Sequence, residues 1–171
     1  MKTILGSIAI AATAITISAF SAGGALAANA PLGFTIMCIK HPAECRGGGA
    51  GQVTATEEVV TTLQRVNAQV NRSIRPRADG KVDVWTVGAR SGDCEDYVLA
   101  KRRQLINAGL PPSALRIAFV KTRGGEEHAI LVVNTSRGKL VLDNLTGSIK
   151  PLSQTGYRLV SMQTADPKRW M

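Results

Sequence analysis

Glu127-His128-Ala129-Ile130-Leu131-Val132-Val133-Asn134, then Thr135-Ser136-Arg137-Gly138, then Lys139-Leu140-Val141-Leu142-Asp143-Asn144-Leu145 form the stretch whose reading decides the fold. Two runs rich in Ile, Val and Leu flank a short polar segment that ends in glycine, which is the pattern of an antiparallel hairpin. With 135–138 as the loop, Asn134 lies opposite Lys139. Side chains alternate with period two, so this register puts His128 on the same sheet face as Asp143 and Leu145, with Asp143 as its diagonal neighbour. A carboxylate inside an apolar run is costly to bury without a partner. The hairpin therefore puts Asp143 within reach of a side-chain hydrogen bond to His128, given a favourable strand twist.

Outward from the hairpin, Leu115–Lys121 reads as a preceding strand and 157–162 as a following one. The segment 82–87, Val82-Asp83-Val84-Trp85-Thr86-Val87, reads as short and extended. Further upstream, Val59, Leu63, Val66 and Val70 recur every three or four residues and predict a helix over 55–73 with one buried face. Thr54-Ala55-Thr56-Glu57 has the spacing of a capping box at its start. A second helix is expected over 93–108, stopped by Gly109-Leu110-Pro111-Pro112, where glycine caps and proline cannot continue. Helices first and antiparallel strands afterwards indicate an α+β domain.

The 171-residue length fits one domain, and 44% hydrophobic residues exclude wholesale disorder. The formal net charge is +9. The basic residues are scattered over Arg72, Arg75, Arg77, Lys101-Arg102-Arg103, Lys121 and Arg123, without interleaved aromatics for base stacking. They read as solvated basic faces, and nucleic acid is not an expected partner. Met1-Lys2, an apolar run over 4–20 and Ala25-Leu26-Ala27 form the pattern of a signal peptide over 1–27, so the chain is expected to be periplasmic or secreted and not membrane-spanning after removal of that segment. Residues 28–52 form a leading segment with Cys38, Cys45 and a flexible glycine-rich joint. The main domain is expected over 53–171.

In an oxidising compartment Cys38 and Cys45 are close enough to form a disulfide. Cys38, His41 and Cys45 also offer a metal reading, which lacks a fourth ligand at ordinary spacing. Either way Cys94 remains as an odd thiol. It stands in Gly92-Asp93-Cys94-Glu95-Asp96-Tyr97, at the predicted start of the second helix, where free backbone N–H groups and the helix dipole favour a thiolate. Its three neighbouring carboxylates oppose ionisation unless a cation neutralises them. A thiolate enzyme needs a base, and the chain has only His41, in the leading segment, and His128. Cys94, His128 and Asp143 thus supply the parts of a nucleophile, a base and an orienting carboxylate.

Gly92-Asp93-Cys94-Glu95-Asp96-Tyr97, Lys101-Arg102, Glu127-His128-Ala129 and Val141-Leu142-Asp143-Asn144 resemble the bacterial transglutaminase-like cysteine proteinases over roughly 53–162. The resemblance implies a papain/transglutaminase-like fold, with the nucleophile starting a helix packed on an antiparallel sheet. It implies Cys94 as nucleophile, His128 as general base and Asp143 as orienter. It also implies a protein substrate, on the pattern of a periplasmic, calcium-dependent relative that clips a surface adhesin, and an inner-membrane regulator. Asp93, Glu95 and Asp96 match that relative's calcium-binding acids, and carboxylate oxygens suit Ca2+. Two features depart from the pattern. The stretch between Ile74 and Trp85 is shorter than usual, and the Cys38/Cys45 segment looks like a feature of shorter family members. The function expected is an exported cysteine peptidase acting through a thioacyl-enzyme. Acyl transfer of the transglutaminase or amidase type, or a non-catalytic binding module, are the alternatives.

Overall fold

The computed structural model describes residues 28–80 and 82–171, so the expected signal peptide over 1–27 lies outside the described residues. Helix α1 (Leu32–Lys40) opens the leading segment and a 3-10 turn (Pro42–Cys45) follows, with Cys38 and Cys45 joined as a disulfide. Helix α2 (Glu57–Ser73) begins two residues later than the capping-box spacing suggests. Its cap is Thr56, whose hydroxyl accepts from the Val59 N–H at 3.2 Å, while Thr54 takes no part. Thr56 sits three residues before that donor, the spacing a cap requires. Leu63, Val66 and Val70 are buried as the periodicity demands, each contributing roughly 1.5–3 kcal/mol. Helix α3 (Cys94–Asn107) starts at the nucleophile candidate, and Gly109 follows it at φ +91°, a backbone conformation glycine adopts freely.

Strands β1 (Arg75–Pro76) and β2 (Ser91–Gly92) form a small parallel pair. The main sheet holds β3 (Leu115–Lys121), β4 (Glu127–Thr135), β5 (Gly138–Leu142), β6 (Lys150–Pro151) and β7 (Arg158–Met162) in the antiparallel order β6-β5-β4-β3-β7. Asn134 pairs with Lys139 as expected, but pairing continues to Thr135 and Gly138. The loop is only Ser136-Arg137, because Gly138 accepts φ +97°. The expected extended segment over 82–87 forms no strand; it carries the buried Trp85 on a loop.

Alternation divides the sheet cleanly. Leu115, Ile117, Ala129, Leu131 and Val133 join the helices in the main core, while Ala118, Val120, Ile130, Val132, Val141 and Met162 form a second cluster. The leading segment belongs to the main core. Phe34 packs edge-on against Trp85 and Trp170, with ring centroids 5.4 and 5.5 Å apart. The 47–51 joint is also held, since the Gly48 N–H donates to Ser113 Oγ and Asn134 Nδ2 donates to the Gly51 carbonyl. One expectation fails outright. Lys101 and Arg102 are not on a solvated face: they are 0% and 1% exposed, inside α3 where it meets the rest of the domain. Arg102 is accommodated because its guanidinium donates to the Glu44 and Arg46 carbonyls at 2.6 and 3.1 Å, clamping the disulfide turn to α3.

Candidate active site

His128 and Asp143 meet as the hairpin register predicts. His128 is the second residue of β4 and Asp143 follows β5 immediately, and their parity puts both on the face that carries Ile130, Val132 and Val141. His128 Nε2 lies 2.8 Å from Asp143 Oδ1, and both residues are buried. The Leu145 N–H donates to the same oxygen at 2.9 Å. Burial alone would push the Asp143 carboxyl up, but donors from His128, Tyr157 and Leu145 outweigh it and hold the group below the usual carboxylate value. Because Nε2 is committed to Asp143, Nδ1 is the nitrogen left to exchange a proton with a nucleophile.

Cys94 is a free, half-buried thiol at the first position of α3. The backbone of Ala129, one residue beyond His128, is close enough to favour its ionised form. Its hydrogen-bond partner, however, is Glu95 rather than His128: Sγ donates to Glu95 Oε2 at 2.9 Å. Burial first, and the Glu95 charge second, push the thiol above its ordinary value. Helix-start stabilisation is therefore overridden by burial first and then by the neighbouring carboxylates, of which the sequence signalled only the second.

Those carboxylates strain one another. Burial, with Asp93 nearby, raises Glu95 to about 7. Burial, with the charges of Asp93 and Asp79, raises Asp96 to about 6, although the Thr86 N–H donates to Asp96 Oδ1 at 2.7 Å. Gly92 is required here, since a Cβ at that position would run into the Asp96 carboxylate. Asp79 and Asp83, from the loop before β2, also line a cleft of about 540 Å3 with Asp93, Glu95 and Glu127. Both were missed in the sequence reading, because nothing in their spacing connects them to Cys94. Asp93 Oδ1 is buried without a partner. Among the described residues no three His, Cys, Asp or Glu side chains are gathered as a ready metal cage.

Two further residues converge on Asp143 that sequence reasoning passed over. Tyr157 donates its hydroxyl to Asp143 Oδ2 at 2.6 Å. Lys101 has a buried ammonium without a hydrogen-bond partner; burial lowers it to about 7, with attraction to Asp143 opposing. The signal for Lys101 was its place seven residues after Cys94 on the same helix. For Tyr157 there was none.

Solved structures of Legionella pneumophila LapG share the fold. The calcium-bound form is 25% identical with a TM-score of 0.57, over 63% of this chain and 66% of that one. The EGTA-treated form is 26% identical with a TM-score of 0.56, over 63% and 64%. The chain thus matches just under two thirds of the length of these relatives. No curated protein sequence matches significantly. The family model described as bacterial transglutaminase-like cysteine proteinase BTLCP matches residues 25–171, which takes in the leading segment as well as the site. A thiol at the start of a helix and a buried imidazole–carboxylate pair on the adjacent sheet lie within the matched residues: the chain belongs to the bacterial transglutaminase-like cysteine proteinases.

Proposed function

We propose that this chain is an exported peptidase in which Cys94, His128 and Asp143 act as a triad on a surface protein, an adhesin being the substrate class the resemblance implies. His128 Nδ1 takes the Cys94 proton, the thiolate adds to a peptide carbonyl, and the leaving amine receives the proton as the thioacyl-enzyme forms. Water then attacks, with His128 as base, and releases Cys94. The Cys94 N–H, free in the first turn of α3, is the first oxyanion donor. Export rests on the signal-peptide pattern over 1–27; among the described residues no helix is long and apolar enough to cross a membrane.

The reading includes calcium, which one of the LapG structures holds. Asp93, Glu95 and Asp96 would bind it. Their donors are all carboxylate oxygens, and Asp93 Oδ1 is buried with no other partner. Bound there, the ion would supply positive charge that cancels the field opposing the Cys94 thiolate. Capture requires Glu95 to leave the thiol, since its oxygen now accepts from Sγ.

The buried His128–Asp143 pair at 2.8 Å carries the proposal. Iodoacetamide labelling of Cys94 at neutral pH with calcium, followed by mass spectrometry, tests it. Labelling that falls sharply in His128→Ala supports the pair; equal labelling in both proteins overturns it.

A further inference from the structure

Asp143 is 2% exposed, so neither of its oxygens can turn to bulk water for a donor. Oδ1 is shared between His128 Nε2 and the Leu145 N–H, and Oδ2 is left to a single donor, the Tyr157 hydroxyl at 2.6 Å. The Tyr157 ring also stands edge-on to the imidazole, with centroids 5.8 Å apart and planes at 78°. Tyr157 arrives from a different part of the sheet: it precedes β7, which pairs with β3, whereas His128 and Asp143 belong to the β4–β5 hairpin. Its main chain is fixed by donation from its N–H to Thr155 Oγ1 at 3.1 Å, and its ring packs against the second core cluster.

We propose that Tyr157 is a positioning residue for the reaction: its hydroxyl locks the Asp143 carboxylate in the orientation that aims Oδ1 at His128 Nε2, and its ring limits the tilt of the imidazole. This role rests on the triad reading of Cys94, His128 and Asp143. Rotating the carboxylate would break all three of its hydrogen bonds at once, so the hydroxyl fixes the imidazole tautomer through Asp143 without touching substrate. The other charged groups facing Asp143 do not duplicate it. Lys101 acts from α3 through charge alone, and Arg123 and Lys150 line the small pocket beside it without bonding to it.

The test uses Tyr157→Phe, which removes one oxygen and keeps the ring. The chain has two histidines, so 15N-histidine labelling resolves the His128 Nε2–H directly. In Tyr157→Phe that proton should exchange with water at least about tenfold faster, the equivalent of losing one charge-assisted hydrogen bond. Iodoacetamide labelling of Cys94 should slow in Tyr157→Phe, and adding the substitution to His128→Ala should cause no further loss, because Tyr157 acts through His128. An unchanged His128 proton in Tyr157→Phe, or additive losses in the double variant, overturns the proposal while leaving the triad intact. Unchanged labelling in His128→Ala overturns the triad itself, and the positioning role with it.

Discussion

Both oxygens of the Asp143 carboxylate have donors, whereas around Cys94 the carboxylates conflict. Asp143 accepts from an imidazole, a phenol and a backbone N–H, and its carboxyl is held below the usual value. At the start of α3, Cys94 donates to Glu95 instead of to His128, and Glu95 and Asp96 are raised to about 7 and about 6. The His128–Asp143 side is preorganised by strand register, which backbone hydrogen bonds impose. The Cys94 side collects like charges on one helix turn, which no backbone geometry can separate. The fold orders the His128–Asp143 pair and leaves the charges at the start of α3 unbalanced.

The largest expected effect comes from breaking the satisfied side. Asp143→Ala leaves His128, Tyr157 and the Leu145 N–H without their acceptor, and should cost about 3–5 kcal/mol in urea unfolding. A loss under 1 kcal/mol would mean that the order seen there is not what holds the hairpin end.

Calcium should sharpen the other side. At one hundred times its dissociation constant the ion should add about 2.7 kcal/mol of stability over chelator, and Asp93→Asn should remove most of that gain. Equal melting curves with calcium and chelator would remove the metal from the account.

Lys101 tests the boundary between the two sides. Its pKa is lowered from 10.5 to about 7 by burial, so between those values the native state holds fewer protons than the unfolded one. Stability from this group therefore rises as pH increases from about 7 to about 10.5, and is lowest below 7, where the buried amine must be charged in both states. Lys101→Met should abolish that rise and gain about 1–2 kcal/mol at pH 6. A steep loss instead would show that the ammonium is needed by Asp143.

The smallest effect concerns the thiol alone. Glu95→Gln removes a charge and a proton acceptor from Cys94, and should speed calcium-free alkylation by about tenfold. No change would place the brake on the thiol elsewhere than at Glu95.

Much of this site was legible from residue order. The opposition of Asn134 and Lys139 and the placing of Cys94 at a helix start follow from local periods, and so does the meeting of His128 with Asp143. The Cys38–Cys45 bridge follows from sequence proximity. The misreadings have a common origin. Lys101 and Arg102 look like surface charges in any window of sequence, because the carbonyls of Glu44 and Arg46 that receive Arg102 lie more than fifty positions away. The capping box failed for a smaller reason: two threonines stand at the helix start, and Thr56, not Thr54, accepts from the first turn.

Alternation along strands and the 3.6-residue helical repeat are properties of the chain itself, and they were enough to specify an α+β domain with a cysteine, a histidine and an aspartate in their working elements. Packing chose the rest. It put the Tyr157 hydroxyl on Asp143, turned Glu95 onto the thiol, and brought Asp79 and Asp83 to the same cleft. Such contacts depend on how distant surfaces close against each other, and the burial they create raises Glu95 and Asp96 and lowers Lys101.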